Sequence, residues 1–191
     1  MIGATLGFGA GLLCGAGALF FGVGGAQSRV DAYHDLADET GGVVLIGPGT
    51  WQGKVIDAAT GRGGFAHCGL YLGMVDKGGG PLLVHCYRRR GVEITALSTF
   101  DGCLLVWIPM DHLETTHARG AAMALLGAPY RGRGPGLTCG EFVMRCLPRN
   151  VQQEIRQNVG HDMVTPNDLA RAFGATATRP RQKRKTKKAR R

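Results

Sequence analysis

The central part of the chain alternates between short apolar runs and glycine-rich turns. Runs of about four to eight apolar residues bounded by turn signals are typical of buried strands. The pattern predicts five strands, at residues 43–46, 68–75, 82–87, 91–94 and 103–108. Because the connections between successive strands are short, we expect them to pair as an antiparallel sheet.

Beyond the strands the apolar positions take on helical spacing. Residues 112–126 and 139–146 predict two helices. A third opens at Thr165, a capping residue that is followed by Pro166 at the first helical position. Residues 51–64 are rich in glycine and predict an irregular loop or a short helix. The predicted fold class is therefore α+β, with an antiparallel sheet packed against helices.

The first 28 residues differ from the rest because no charge occurs between residues 2 and 28. An apolar stretch of this length can span a bilayer as a helix. Glycine recurs in it every four residues, at Gly3, Gly7, Gly11 and Gly15. This spacing lets membrane helices approach closely, so two copies of the chain could form a homo-oligomer through the segment. We predict an uncleaved apolar helix that contacts the membrane through residues 2–26.

Three alternatives remain for this segment. A cleaved secretory signal could end after Ala26, although the segment lacks the usual basic start. A lipoprotein anchor at Cys14 would require a small residue before the cysteine, and Leu13 is not small. The last alternative is a flexible Gly/Ala leader. Under each alternative, residues 1–28 are predicted to form a unit separate from the folded domain. Residues 29–40 are polar and mildly helical, and they predict a linker helix.

The net charge of +9 belongs to the other end of the chain. Residues 179–191 contain nine basic residues and no acidic one, and removing these nine leaves 14 basic residues against 14 acidic ones. Blocks of like charge cannot bury apolar surface, so residues 175–191 are predicted to form a disordered basic tail. Residues 179–191 are expected to bind a polyanion, either nucleic acid or anionic lipid. A tail that only aids solubility is the alternative.

In the folded domain, residues 41–174, the sequence around one of the cysteines and one of the histidines indicates a reactive site. Cys139 opens a predicted helix, where the free N–H groups and the helix dipole lower the pKa of a thiol. His67 begins a predicted strand earlier in the chain. A histidine beside such a cysteine can hold its proton, which is the arrangement used in thiol-dependent acyl transfer. This chemistry requires no metal and no organic cofactor.

The remaining cysteines and histidines suggest no second site. Six cysteines are scattered along the chain without a Cys-x-x-Cys pair, which disfavours a metal knuckle. Cys68 and Cys86 each follow a histidine on a strand, so they are predicted to point to the opposite face and pack in the core. His112 and His117 lie on a predicted helix and are expected at the surface. Glu141 is expected to face away from Cys139 at the helix start.

Several segments in this order resemble a known family. They read Ala-His-Cys-Gly-Leu-Tyr-Leu at 66–72, Val-His-Cys at 84–86, Leu-Gly-Ala-Pro-Tyr at 126–130, Thr-Cys-Gly-Glu-Phe-Val at 138–143 and Thr-Pro-Asn-Asp-Leu at 165–169. The domain thereby resembles the circularly permuted papain-like branch of the NlpC-type cysteine peptidases. That branch also includes the lecithin:retinol acyltransferase-like enzymes. The resemblance extends from residue 41 to about residue 174 and implies a permuted papain-like fold.

Matched by position, the resemblance implies four site residues. Cys139 would be the nucleophile and His67 the base. His85 would be the third residue, which orients the imidazole of His67 and is acidic in some members of the family. Tyr130 matches a tyrosine that lies near the oxyanion in this family, where the backbone N–H of Cys139 would be the other donor. The usual Cys-Ser-Glu-Phe reads Cys-Gly-Glu-Phe here, a departure at Gly140.

The resemblance implies a cysteine-dependent hydrolase of amide bonds, with cell-wall (peptidoglycan) peptides as the expected substrate. A lipid acyl-hydrolase or acyltransferase of the same fold is the alternative, since a second histidine and an apolar N-terminal segment also fit it. A different class of function is a non-catalytic protein of the virion or membrane with a polyanion-binding tail. We expect a membrane-associated or cell-envelope location. The alternative is a phage virion, where a wall-cutting domain would accompany DNA entry.

Overall fold

The computed structural model describes residues 19–21, 41–49, 51–59, 63–131, 136–159 and 163–175. Its strands are β1 Leu19–Phe21, β2 Gly42–Ile46, β3 His67–Val75, β4 Pro81–Tyr87, β5 Gly91–Ala96 and β6 Leu105–Pro109. They form one sheet in the order β1-β6-β2-β3-β4-β5, in which every neighbouring pair is antiparallel. The prediction of an antiparallel sheet from β2 to β6 is confirmed.

Among the described residues, five helices accompany the sheet. They are α1 Trp51–Ala59, α2 His112–Ala124, α3 Cys139–Cys146, α4 Arg149–Val159 and α5 Pro166–Ala172, and a single 3-10 turn spans Leu97–Phe100. The predicted helices match α2, α3 and α5, and the glycine-rich segment after β2 forms a helix over most of its length. The α+β class is confirmed, whereas α4 was not predicted.

The two faces of the sheet carry separate clusters of buried side chains. Side chains alternate between the faces along each strand, so successive residues enter different clusters. The cluster between sheet and helices includes Val43, Leu45, Cys68, Leu70, Cys86, Phe142, Val143 and Leu169. The opposite cluster holds Val44, Ile46, Tyr71, Leu83, Leu97, Leu105 and Trp107. Cys68 and Cys86 are fully buried on the helix side, as predicted.

Three helices begin with the same reciprocal cap, in which the side chain before the helix and the third helical residue bond each other's backbone N–H. The pairs are Asp111 with Glu114 at α2, Thr138 with Glu141 at α3, and Thr165 with Asp168 at α5. These caps fix the first residue of each helix. For α3 that first residue is Cys139.

The terminal predictions fall largely outside this description. Of residues 1–40, only Leu19–Phe21 is described, as a strand along the edge of β6. The predicted membrane helix is otherwise outside the described residues, as are the linker helix at 29–40 and the tail from residue 176 onward. Within the described ranges, no helix combines the length and the apolar character needed to cross a membrane.

Candidate active site

Cys139 lies at the N-terminus of α3, held there by the helix cap. The Glu141 backbone N–H donates to Thr138 Oγ1 at 3.2 Å, and the Thr138 N–H donates to Glu141 Oε2 at 2.9 Å. Glu141 Oε1 also accepts from Arg131 Nη1 at 3.1 Å. The Glu141 carboxylate is therefore committed to the cap and to Arg131, as expected from its position. Cys139 itself is only 9% exposed.

Gly140 brings the start of α3 against the segment before α5. A Cβ atom at this position would lie 2.0 Å from the carbonyl oxygen of Val164 and 2.8 Å from its carbonyl carbon. Real Cβ atoms do not approach backbone atoms so closely, so only glycine fits here. The close approach to Val164 thus gives a packing reason for the glycine that follows Cys139.

The segment that leads into His67 is anchored from two directions. The backbone N–H of Ala66 donates to the Ile46 carbonyl at 2.9 Å, which continues the β2–β3 pairing. The N–H of Phe65 donates to Asn167 Oδ1 at 3.0 Å, a buried bond to the start of α5. Asn167 Nδ2 in turn donates to Asp57 Oδ1 of α1 at 3.2 Å. Asn167 therefore fixes the approach to His67 from the side of α5.

Replacing Asn167 with alanine is expected to destabilise the fold by about 1–3 kcal/mol, because the Phe65 N–H would remain buried without an acceptor. Urea unfolding of the full chain measures the loss. The Asn158→Ala variant changes an exposed asparagine of α4 and is expected to stay within about 0.5 kcal/mol of wild type. Equal stability of the two variants would contradict the anchoring role of Asn167.

His67 and His85 are hydrogen-bonded to each other. His67 Nε2 lies 2.7 Å from His85 Nδ1, and the two rings meet edge to face at 82°. Room for His85 comes from Gly69 on the neighbouring strand, where a Cβ would lie 2.9 Å from His85 Cβ. This bond uses one nitrogen of His67 and leaves its Nδ1 to interact with Cys139.

The thiol groups differ sharply in pKa. Hydrogen bonding to the Cys68 side chain lowers the pKa of Cys139 well below the ordinary value, and the positive charge of His67 and a hydrogen bond to His67 lower it further. Burial opposes these effects without overcoming them. Burial raises the pKa of Cys86 and of Cys146 to about 12 each, and it also raises that of Cys103. Cys139 is thus the thiol poised to ionise.

His85 is held in the neutral form. Burial, followed by the nearby charge of His67, lowers the pKa of His85 to about 3, and the residue is 2% exposed. A neutral imidazole carries one N–H and one acceptor nitrogen. His85 can therefore accept a hydrogen bond from a charged His67 without adding a second positive charge.

Two cavities meet at His67. A cavity of about 200 Å³ lies beside Cys139, Tyr130 and His67, between the starts of α3 and α5. A second cavity of about 400 Å³ continues from His67 past His85 and Glu93 to Phe100. Together they make a cleft with His67 at its centre.

Tyr130 lies in the smaller cavity with its backbone fixed. The Arg131 N–H donates to the Leu137 carbonyl at 2.9 Å, and the Leu137 N–H donates to the Pro129 carbonyl at the same distance. Burial, and then the negative charge of Cys139, raise the pKa of the Tyr130 phenol. The hydroxyl therefore stays protonated and able to donate a hydrogen bond.

All four site residues inferred from the sequence line this cleft. Two further residues were not inferred as part of the site. Cys68 was expected only to pack in the core, and its side chain also lowers the pKa of Cys139. Glu93 was not singled out, and its Oε1 lies 3.6 Å from His85 Nε2. The signal for Glu93 was an acidic residue between the apolar residues Val92 and Ile94 of a predicted strand. In the structure Glu93 lies directly opposite His85 in the β4–β5 pairing.

Comparison with known proteins adds no relative, since neither a protein-family model nor a curated protein matches the chain. Within the described ranges, no three His, Cys, Asp or Glu side chains converge in the way that would hold a metal ion. What the protein does must therefore be inferred from the cleft and its residues.

Proposed function

We propose that this protein is a cysteine-dependent hydrolase of amide bonds, with Cys139 as nucleophile and His67 as the group that holds and returns the proton. The observation that carries the proposal is the geometry of the cleft, in which Cys139 begins α3 beside a His67 ring whose far nitrogen is held by His85 at 2.7 Å. A thiolate at a helix N-terminus beside an oriented imidazole is a reactive nucleophile.

In the proposed reaction the Cys139 thiolate attacks the carbonyl carbon, and an S–C bond forms while the carbonyl oxygen takes the negative charge. The C–N bond then breaks, and the amine leaves with the proton from His67. Water attacks the thioester next, and His67 takes one of its protons. Breakage of the S–C bond releases the acid and restores the thiolate.

The same arrangement offers donors for the developing oxyanion. The backbone N–H of Cys139 is at the N-terminus of α3, where the first N–H groups have no partner within the helix. The Tyr130 phenol lines the same cavity and remains protonated. We assign these two groups to the oxyanion, which is the role in which donors aimed at developing charge accelerate acyl transfer.

A cell-wall peptide is the substrate that we propose first. The cavity beside Cys139 measures about 200 Å³, which is below the range of about 300–1,000 Å³ typical of drug-sized ligands. It suits a short group, such as a peptide side chain, beside the reacting carbonyl, and it continues into the cavity of about 400 Å³. The order of the chain, with the histidine strand before the cysteine helix, supports the permuted papain-like fold as part of the proposal.

One observation favours the lipid alternative. Three exposed apolar side chains, Ile56, Tyr87 and Met163, line the mouth of the cleft. Apolar residues around an opening can bind an acyl chain or rest on a lipid surface. Hydrolysis or transfer of a lipid acyl group is therefore the second candidate function.

From composition alone we propose two further properties. Membrane contact through residues 2–26 would place the enzyme at the membrane or in the cell envelope, or in a virion. Binding of nucleic acid or anionic lipid through residues 179–191 would follow from their charge.

The test uses the full chain, wild type and Cys139→Ala, incubated separately with peptides released from peptidoglycan and with phospholipid vesicles. We expect new amine and acid termini in the peptides, with wild type and Cys146→Ala but not with Cys139→Ala. Fatty acid release that depends on Cys139 would favour the lipid function instead. If neither substrate is cleaved in a Cys139-dependent way, the hydrolase proposal for these two substrate classes fails.

A further inference from the structure

The pair of histidines leaves one nitrogen unsatisfied. His85 Nε2 is buried, and no described residue lies within hydrogen-bond distance of it. A buried polar atom without a partner destabilises the state that contains it by about 1–3 kcal/mol. The nearest carboxylate oxygen to it is Glu93 Oε1, at 3.6 Å.

The protonation of His67 decides which nitrogen of His85 carries the proton. When His67 is an imidazolium beside the Cys139 thiolate, both of its nitrogens are donors. His67 Nε2 then donates to His85 Nδ1, which must be unprotonated to accept. The single proton of neutral His85 is consequently on Nε2, the nitrogen that faces Glu93.

Glu93 is positioned to accept a hydrogen bond from that N–H group. It lies on β5 directly opposite His85 in the strand pairing, and its side chain is 22% exposed. Its other oxygen, Oε2, is 3.5 Å from Nη1 of Arg90, in the turn before the strand. The charged or titratable groups near His85 are His67 on one side and Glu93, with Arg90 behind it, on the other. The phenol ring of Tyr87 also lies close, with its centroid 5.9 Å from that of the His85 ring.

We propose that Glu93 is a positioning residue that accepts a hydrogen bond from His85 Nε2 and so holds His85 in the tautomer that supports His67. The 3.6 Å separation shortens to hydrogen-bond length when substrate binds, as hydrogen bonds in unliganded active sites commonly do. Glu93 acts through His85 in this scheme and contacts neither Cys139 nor the reacting carbonyl. The inference rests on the proposed function, because it supposes that His67 becomes charged during the reaction.

The first test measures the ¹⁵N resonances of the histidine rings in the full wild-type chain across pH. We expect His85 to remain neutral with its proton on Nε2 at every pH at which the protein is folded and the Cys139 thiolate and the His67 imidazolium are both present. A proton on Nδ1 of His85 would overturn the proposal, because His85 could not then accept from His67. This readout requires no substrate.

The second test compares Glu93→Gln with Glu114→Gln, which weakens the cap of α2 far from the cleft. Removing the Glu93 charge disfavours the His67 imidazolium and with it the Cys139 thiolate. The alkylation midpoint of Cys139, the pH at which its alkylation rate is half-maximal, should therefore move to higher pH. The hydrolysis rate should fall on the order of 10- to 100-fold, the size of effect seen when the partner behind a metal-binding histidine is lost. The control is expected to leave both quantities unchanged.

The two proposals can fail separately. If wild type hydrolyses its substrate and Glu93→Gln has the same hydrolysis rate and the same alkylation midpoint, the positioning role of Glu93 is wrong and the hydrolase function is supported. If no hydrolysis is found but Glu93→Gln still shifts the alkylation midpoint of Cys139, the hydrolase function is wrong and the positioning role of Glu93 is supported. Melting curves of both variants separate either outcome from a loss of folded protein.

Discussion

Replacing His67 with alanine is expected to slow hydrolysis by on the order of 10²- to 10⁴-fold, the usual contribution of a positioned acid–base group. The reason is twofold. The variant loses the positive charge and the hydrogen bond that lower the pKa of Cys139, and it loses the proton donor for the leaving amine. The quantity to measure is kcat/KM for the peptide that the wild-type chain cleaves.

The matched control for this prediction is His117→Ala, which removes an exposed histidine from α2. Its kcat/KM is expected to equal that of wild type. The role assigned to His67 would be untenable if His67→Ala remained folded and retained most of the wild-type rate.

The second large effect is expected in stability. Replacing Gly140 with alanine would put a Cβ 2.0 Å from the Val164 carbonyl oxygen, so α3 and the start of α5 must move apart. Forcing an extra carbon into a packed site costs about 1–3 kcal/mol of unfolding free energy, occasionally more. We expect the upper part of that range, because the obstructing atoms are backbone. Urea unfolding followed by circular dichroism measures the change.

Gly120 provides the comparison, since it also lies within a helix, and a Cβ there would meet nothing within 4 Å. Gly120→Ala is expected to stabilise the protein by about 0.5–1 kcal/mol through helix propensity. The two Gly→Ala variants should therefore change stability in opposite directions. If Gly140→Ala were as stable as Gly120→Ala, the close packing of α3 against α5 would be wrong.

The sheet could be predicted because its strands are apolar runs interrupted by turns, a signal contained in neighbouring residues. The helix α4 could not be predicted as easily, because most of its residues are polar. Its apolar stripe consists of Val151, Ile155 and Val159, spaced four residues apart, and only Ile155 is fully buried. Such a sparse stripe becomes recognisable only when the surface it packs against is known.

The site residues likewise divide into those that the local sequence identifies and those that it does not. Cys139 and His67 could be identified from local context, a helix start and a strand start. The hydrogen bond between Phe65 and Asn167 joins residues 102 positions apart, so no local sequence pattern indicates it. Glu93 depends on the register of β4 against β5, since a shift of one residue would turn it to the other face. Residues that act through tertiary pairing were therefore the ones missed.

The claim that Cys139 is an activated thiolate is tested most directly by its alkylation. The full chain is treated with iodoacetamide between about pH 5 and pH 10, and mass spectrometry reports the rate at each cysteine. We expect Cys139 to react with a midpoint well below about 8.5, the usual pKa of a free thiol. Cys103 and Cys146 should react only at higher pH, because burial raises their pKa. A Cys139 that reacts no faster than Cys103 or Cys146 would contradict the proposed mechanism.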